Sequence, residues 1–114
     1  MLQIHAFETQ ALAAAVGDAD PFDGLGVRMS FAKDEEVYGQ DEDADMIYRV
    51  VSGVVRTSRV MGDGRRQIGE FYYASELFGL ETGPEHRFAA EALSDCVILV
   101  IKRGALRSAG YGPA

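Results

Sequence analysis

From Gly26 onward the chain alternates short runs rich in Val, Ile, Tyr and Phe with turn residues, at close and regular spacing. Such punctuation predicts a domain of short strands with few helices. The predicted strands are "GVRMSF" (26–31), "EEVYGQ" (35–40), "MIYRVVS" (46–52), "VVRTSRVM" (54–61), "RQIGEFYY" (66–73), "ELFG" (76–79), "FAAEAL" (88–93) and "CVILVIK" (96–102). In the third, Met46, Tyr48 and Val50 share one face, with Ile47, Arg49 and Val51 on the other. In the fourth, Val55, Thr57 and Arg59 oppose Val54, Arg56 and Ser58. Gly53 between them marks a bend or bulge. "GDG" at 62–64 is a hairpin signal, because Asp-Gly supplies the positive φ angles of tight turns. The pattern points to a mainly β fold, a double-sheet jelly roll or a small barrel.

Helical pattern is confined to the flanks. "ETQALAAAV" (8–16) is alanine-rich and predicts a short helix that Gly17 stops. The breaker-rich "GDADPFDGLG" that follows reads as a loop. At the other end "RGALRSAG" allows about two helical turns before "YGPA". The expected division is an N-terminal helix and loop over 1–25, the β domain over 26–103, and a short helical remnant over 104–114.

Composition narrows the function classes. At 114 residues, with 47% hydrophobic and 25% charged positions, the chain fits one small globular domain. Its net charge is −7, from 11 Lys and Arg against 18 Asp and Glu, so it lacks the basic face of a nucleic-acid binder. The run from Asp34 to Asp45 concentrates acids beside Lys33 and reads as a solvated loop and strand edge. No apolar run approaches the ~20 residues of a membrane span, and "MLQIHAFETQ" lacks the regions of a signal peptide, so a cytoplasmic location is expected.

Catalytic and metal chemistry find little support. The single cysteine, Cys96, lies in an apolar run and reads as a buried, inert thiol beside Asp95. His5 and His86 are far apart and have no His or Cys neighbour at ligand spacing. His86, in a Gly-Pro-Glu-His turn, is expected at the surface. No phosphate-binding or dinucleotide fingerprint is present. An enzyme, a metal site and a cofactor are not expected.

The order of motifs resembles the sensory domain of the Crp/Fnr family of bacterial transcription regulators. The landmarks are "YRVVSG" (48–53), "DGRRQI" (63–68), the turn at Gly79 and the closing "AEALSDCVILVIKR" (90–103). "GRRQIGEFYY", "FGLE" and "HRFAAEAL" look most like the FixK branch. The resemblance implies a cyclic-nucleotide-binding-type jelly roll. It also implies a homodimer built on a long helix, and a C-terminal helix-turn-helix that reads DNA. No counterpart of those last two parts is expected within the 114 residues. Contact with RNA polymerase is implied as well, and the "GDGRR" hairpin with Arg65 and Arg66 is a candidate surface.

The resemblance further places an effector pocket at Gly79, Leu80, Glu81, Arg87 and Phe88. Relatives that bind cyclic AMP carry a glutamate directly after the glycine, for the ribose hydroxyl, and an Arg-Ser or Arg-Thr pair for the phosphate. Here Leu80 follows Gly79, Glu81 comes one place late, and Phe88 follows Arg87. Leucine accepts no hydrogen bond, and phenylalanine occupies space beside the phosphate. Ala74-Ser75-Glu76 also replaces the family's Pro-Gly-Asp. One cysteine excludes the four-thiolate iron–sulfur cluster of the Fnr branch, and His5 and His86 lack the spacing that would support haem. The expectation is a regulatory domain of a FixK-like regulator without bound effector. The alternative is a ligand-gated sensor that holds a cyclic nucleotide or another small acidic molecule through Gly79, Glu81 and Arg87.

Overall fold

The computed structural model describes residues 22–110. The helix expected over 8–16, His5 and the "YGPA" terminus lie outside the described residues. A 3-10 turn at Asp23–Leu25 leads into β1 (Gly26–Phe31), β2 (Glu36–Tyr38), β3 (Met46–Ser52), β4 (Val55–Val60), β5 (Arg66–Tyr72), β6 (Leu77–Phe78), β7 (Ala89–Ala92) and β8 (Cys96–Lys102). One helix, α1 (Arg103–Ser108), follows at once. The strands form two antiparallel four-stranded sheets, ordered β1-β8-β3-β6 and β2-β7-β4-β5. This is the double-sheet β fold that the punctuation predicts.

The two faces of β3 meet two different cores. Tyr48 and Val50 point between the sheets, where they pack with Val55, Phe78, Ala90 and Ile98. Ile47 points the other way and packs with Leu99, Ile101 and Leu106 of α1, beneath Phe22 and Leu25. The centre of the first sheet, at β3 and β8, is therefore covered on both sides. That explains why β8 reads as the unbroken apolar run "CVILVIK" and not as an alternation. Each fully buried Ile or Leu there stabilises the fold by about 1.5–3 kcal/mol.

Turn chemistry positions the strands. Gly53 has φ +94°, and a Cβ on it would sit 2.6 Å from Cys96 Sγ, so only glycine fits. The β3–β8 register slips between Val50 and Ser52 at the same place, as a bulge requires. Cys96 is buried, as expected. The 62–64 hairpin closes by a bond from the Met61 N–H to the Arg65 carbonyl at 2.6 Å. β7 ends at Ala92, and the Leu93 N–H bonds to the Val54 carbonyl at 2.9 Å in the same register as the β4–β7 pairing. On the outer face of the second sheet, Glu91 is shared by Arg56 and by Arg66 Nη2 at 2.8 Å.

Candidate functional site

A cleft of about 380 Å³ opens between β4, β5 and the segment that follows β6. All five residues singled out in the sequence, Gly79, Leu80, Glu81, Arg87 and Phe88, line it. Gly79 makes the turn that starts it, with φ +79°. A Cβ there would lie 2.7 Å from a ring carbon of Tyr48, so the backbone rests directly on the aromatic core. Leu80 points outward and is 57% exposed.

Glu81 is the hub. Its side chain is only 9% exposed, and its two carboxylate oxygens take separate partners. One lies 3.4 Å from Arg87 Nε and the other 3.4 Å from His86 Nδ1. Its backbone carbonyl accepts a 2.6 Å hydrogen bond from Arg103 Nη2 on α1. Arg87 itself is 76% exposed, so its ion pair with Glu81 contributes only ~0–1 kcal/mol. Its effect is local: an anion that approaches Arg87 also meets the Glu81 carboxylate.

Phe88 turns into the cleft against Gly69, where a Cβ would sit 3.0 Å from the ring. The Arg59 guanidinium lies 5.2 Å from the centre of the same ring, a cation–π contact. Arg59 thus shares the inward side of β4 with Val55 and Thr57, the grouping that the alternation gives. Thr57 Oγ1 accepts from the Glu70 N–H at 2.8 Å and bridges the bulge between β4 and β5. The floor of the cleft is aromatic. Burial, first, and the nearby Glu81 carboxylate hold the Tyr38 phenol well above its ordinary pKa, and burial does the same to Tyr72. Both stay neutral hydrogen-bonding groups at physiological pH.

His86 corrects the sequence reading. It is not at the surface but 1% exposed, and its ring stacks on Tyr38. The reason is backbone pairing between two loops. The Asp41 N–H bonds to the His86 carbonyl at 2.8 Å, the His86 N–H to Glu42 at 2.9 Å, and the Ala44 N–H to Pro84 at 2.7 Å. Asp43 and Glu85 form a bridge in this ladder. Side chains alternate along such a ladder, so Glu85 and Arg87 point out while His86 points in. The acidic stretch that reads as a solvated loop is therefore also the backbone partner of the 84–86 segment. Among the described residues, His86 Nε2 is buried without a hydrogen-bond partner.

Sequence reasoning missed His86, Tyr38, Gly69 and Arg103. Gly69 carried a usable signal, a glycine interrupting a strand pattern, which marks a close approach. Among the described residues no three His, Cys, Asp or Glu side chains converge as metal ligands would. No described helix is long and apolar enough to cross a membrane.

The cyclic nucleotide-binding domain model matches residues 28–109. Among curated proteins, the chain is 49% identical over 82 residues to the nitrogen fixation regulation protein FixK of Azorhizobium caulinodans, covering 72% of this chain and 33% of that one. It is 35% identical to the protein of the same name from Rhizobium meliloti, covering 73% and 39%. The chain thus spans a third to two-fifths of the curated relatives it matches. Among solved structures, FixK2 from Bradyrhizobium japonicum superposes with a TM-score of 0.70 at 48% identity, over 75% of this chain and 43% of that one. The Thermus thermophilus catabolite activator protein shares the fold, with a TM-score of 0.72 at 22% identity over 81% and 45%.

Proposed function

This chain belongs to the cyclic nucleotide-binding domain family, its relatives are FixK regulators of the Crp/Fnr type, and we propose that it is the regulatory domain of such a regulator working without a bound effector. The domain would support a homodimer and control a helix-turn-helix DNA-binding domain in the rest of the regulator, in the cytoplasm and with no cofactor. RNA polymerase is the further partner. Of the hairpin that could face it, Arg66 folds back onto Ser58 and Glu91, while Arg65 stays 82% exposed beside Asp63.

The observation that carries the effector-free reading is the Glu81–Arg87 pair. The arginine placed to meet a phosphate already faces a carboxylate of its own chain, with Phe88 where a hydroxyl would help. One observation favours a ligand-gated sensor instead: a cleft of about 380 Å³ that holds Gly79, Glu81 and Arg87 together lies within the ~300–1,000 Å³ range of ligand sites.

Thermal unfolding with saturating cyclic AMP or cyclic GMP separates the two. A ligand at 100 times its dissociation constant adds about 2.7 kcal/mol, on the order of 10 °C for a domain this size. The expected result is no shift. A rise of that size, abolished by Arg87→Ala, would establish the sensor reading.

A further inference from the structure

Arg103 is the first residue of α1, and its guanidinium is spent on backbone carbonyls. Nη2 donates to Glu81 at 2.6 Å, and Nη1 to Gly83 at 3.2 Å and Ala44 at 3.3 Å. Its own N–H donates to the Asp45 carbonyl at 2.9 Å. One residue thus ties the start of the helix to both loops of the 41–45 and 81–86 ladder. Arginine suits this task because its planar fork presents several donors in fixed directions, where lysine has a single ammonium. The acceptors are carbonyls, so the clamp does not depend on which side chains the loops carry.

Glu81 is consequently held at both ends. Its carboxylate faces Arg87 and His86 inside the cleft, and its carbonyl is fastened to α1. The other end of the helix has separate anchorage, since Leu106 is buried with Ile47, Leu99 and Ile101. Arg103 therefore governs where α1 begins, and Leu106 holds the rest of it against the sheet.

We infer that Arg103 is the positioning residue through which the state of the cleft reaches α1, with Glu81 as the shared link. Displacing the segment after Gly79 must either carry the start of the helix with it or break the 2.6 Å bond. On the effector-free reading proposed above, on which this inference rests, the clamp fixes α1 in one position by contacts within the chain. A bound effector is then not needed to set it.

Hydrogen exchange on the 114-residue chain tests the coupling as a cycle. Glu81→Gln weakens the carboxylate contacts but keeps the carbonyl. With Arg103 present it should raise amide exchange both in 81–85 and in 103–108, by several-fold. In an Arg103→Met background the same change should raise exchange in 81–85 alone, and Arg103→Lys should fall between. Arg103→Met by itself should raise exchange in both segments by on the order of tenfold while β3 and β8 keep their protection.

A purely structural arginine would loosen α1 without making its response to Glu81→Gln depend on residue 103. That result overturns the inference. If Arg103→Met instead unfolds the domain, exchange rises everywhere and the lysine variant carries the cycle. The nucleotide titration separates the two readings. A thermal shift with the cycle intact removes the effector-free reading and leaves the clamp, and a flat titration with no coupling removes the clamp alone.

Discussion

The imidazole of His86 lies face to face with the phenol ring of Tyr38, with centroids 3.6 Å and planes 12° apart. Tyr48 and Phe78 extend the group, their rings 5.2 Å apart. This stack is the surface on which the Gly79 turn and Glu81 rest. His86→Ala should cost about 3 kcal/mol by leaving a hole in it. His86→Phe keeps the ring and loses only the contact to Glu81, and it should cost less than about 1.5 kcal/mol. Urea unfolding at neutral pH measures both. The reverse order would show that the polar contact, and not the stack, holds the residue in place.

Gly79 and Gly64 share positive φ angles, +79° and +88°, but differ in what surrounds them. A Cβ at Gly79 meets Tyr48 at 2.7 Å, whereas at Gly64 it meets nothing within 4 Å. Gly64→Ala should therefore cost about 1 kcal/mol from backbone strain alone. Gly79→Ala should cost at least ~2 kcal/mol, because the aromatic core must also move. Each kcal/mol lowers the midpoint of a domain this size by about 4–8 °C, so calorimetry resolves the pair.

Glu91 is held below the ordinary carboxylate range, first by the hydrogen bond from Arg56, with burial opposing and the charges of Arg56 and Arg66 adding. A depressed folded-state pKa means that its stabilisation is fully present above the unfolded value, ~4.3. It is lost as the pH falls through the folded value. Glu91→Gln should cost about 1 kcal/mol at pH 7. Below about pH 4 the difference from the wild type should shrink. Denaturation midpoints across pH 2.5–7 (~0.5-unit steps) follow this directly. A difference that stays constant over the range would mean that Glu91 acts by packing.

Phe88 and Leu80 are the changes that separate this cleft from a cyclic-AMP pocket of the resemblance. The double variant Leu80→Glu, Phe88→Ser supplies an acceptor and a hydroxyl and removes the ring that Arg59 covers. With Glu81→Gln added to free Arg87, calorimetric titration should detect cyclic AMP at on the order of millimolar affinity, ~4 kcal/mol, and the double variant alone should give less heat. Equal heat in the double variant alone would locate the block in Leu80 and Phe88 and not in the Glu81–Arg87 pair.

Much of the fold is legible in the chain, and the reason is local. β1, β3 and β8 match their sequence patterns end to end, because each apolar run is bounded by turn residues and pairs along its whole length. The five cleft residues all lie on the one connection between β6 and β7, so a single excursion of the chain gathers them. What the sequence hides are contacts that depend on distant chain. His86 is covered by Tyr38, which precedes it by nearly half the chain, and Arg103 reaches carbonyls on two separate loops. Composition around either residue carries no trace of those partners, since a Gly-Pro turn reads as exposed and any backbone carbonyl can accept.

The Cys96 thiol, folded under Gly53 with the Val54 and Ser94 carbonyls at 3.3 and 3.2 Å as acceptors for its one S–H, gives the molecule a built-in clock. A thiol reagent outside can reach it only when the Gly53 turn or the sheets part, so its modification rate counts openings there and not movements of the cleft loops. It also leaves the surface chemically silent. A cysteine introduced at exposed Leu80 would react long before the native one, and a dye attached there would report on the cleft alone.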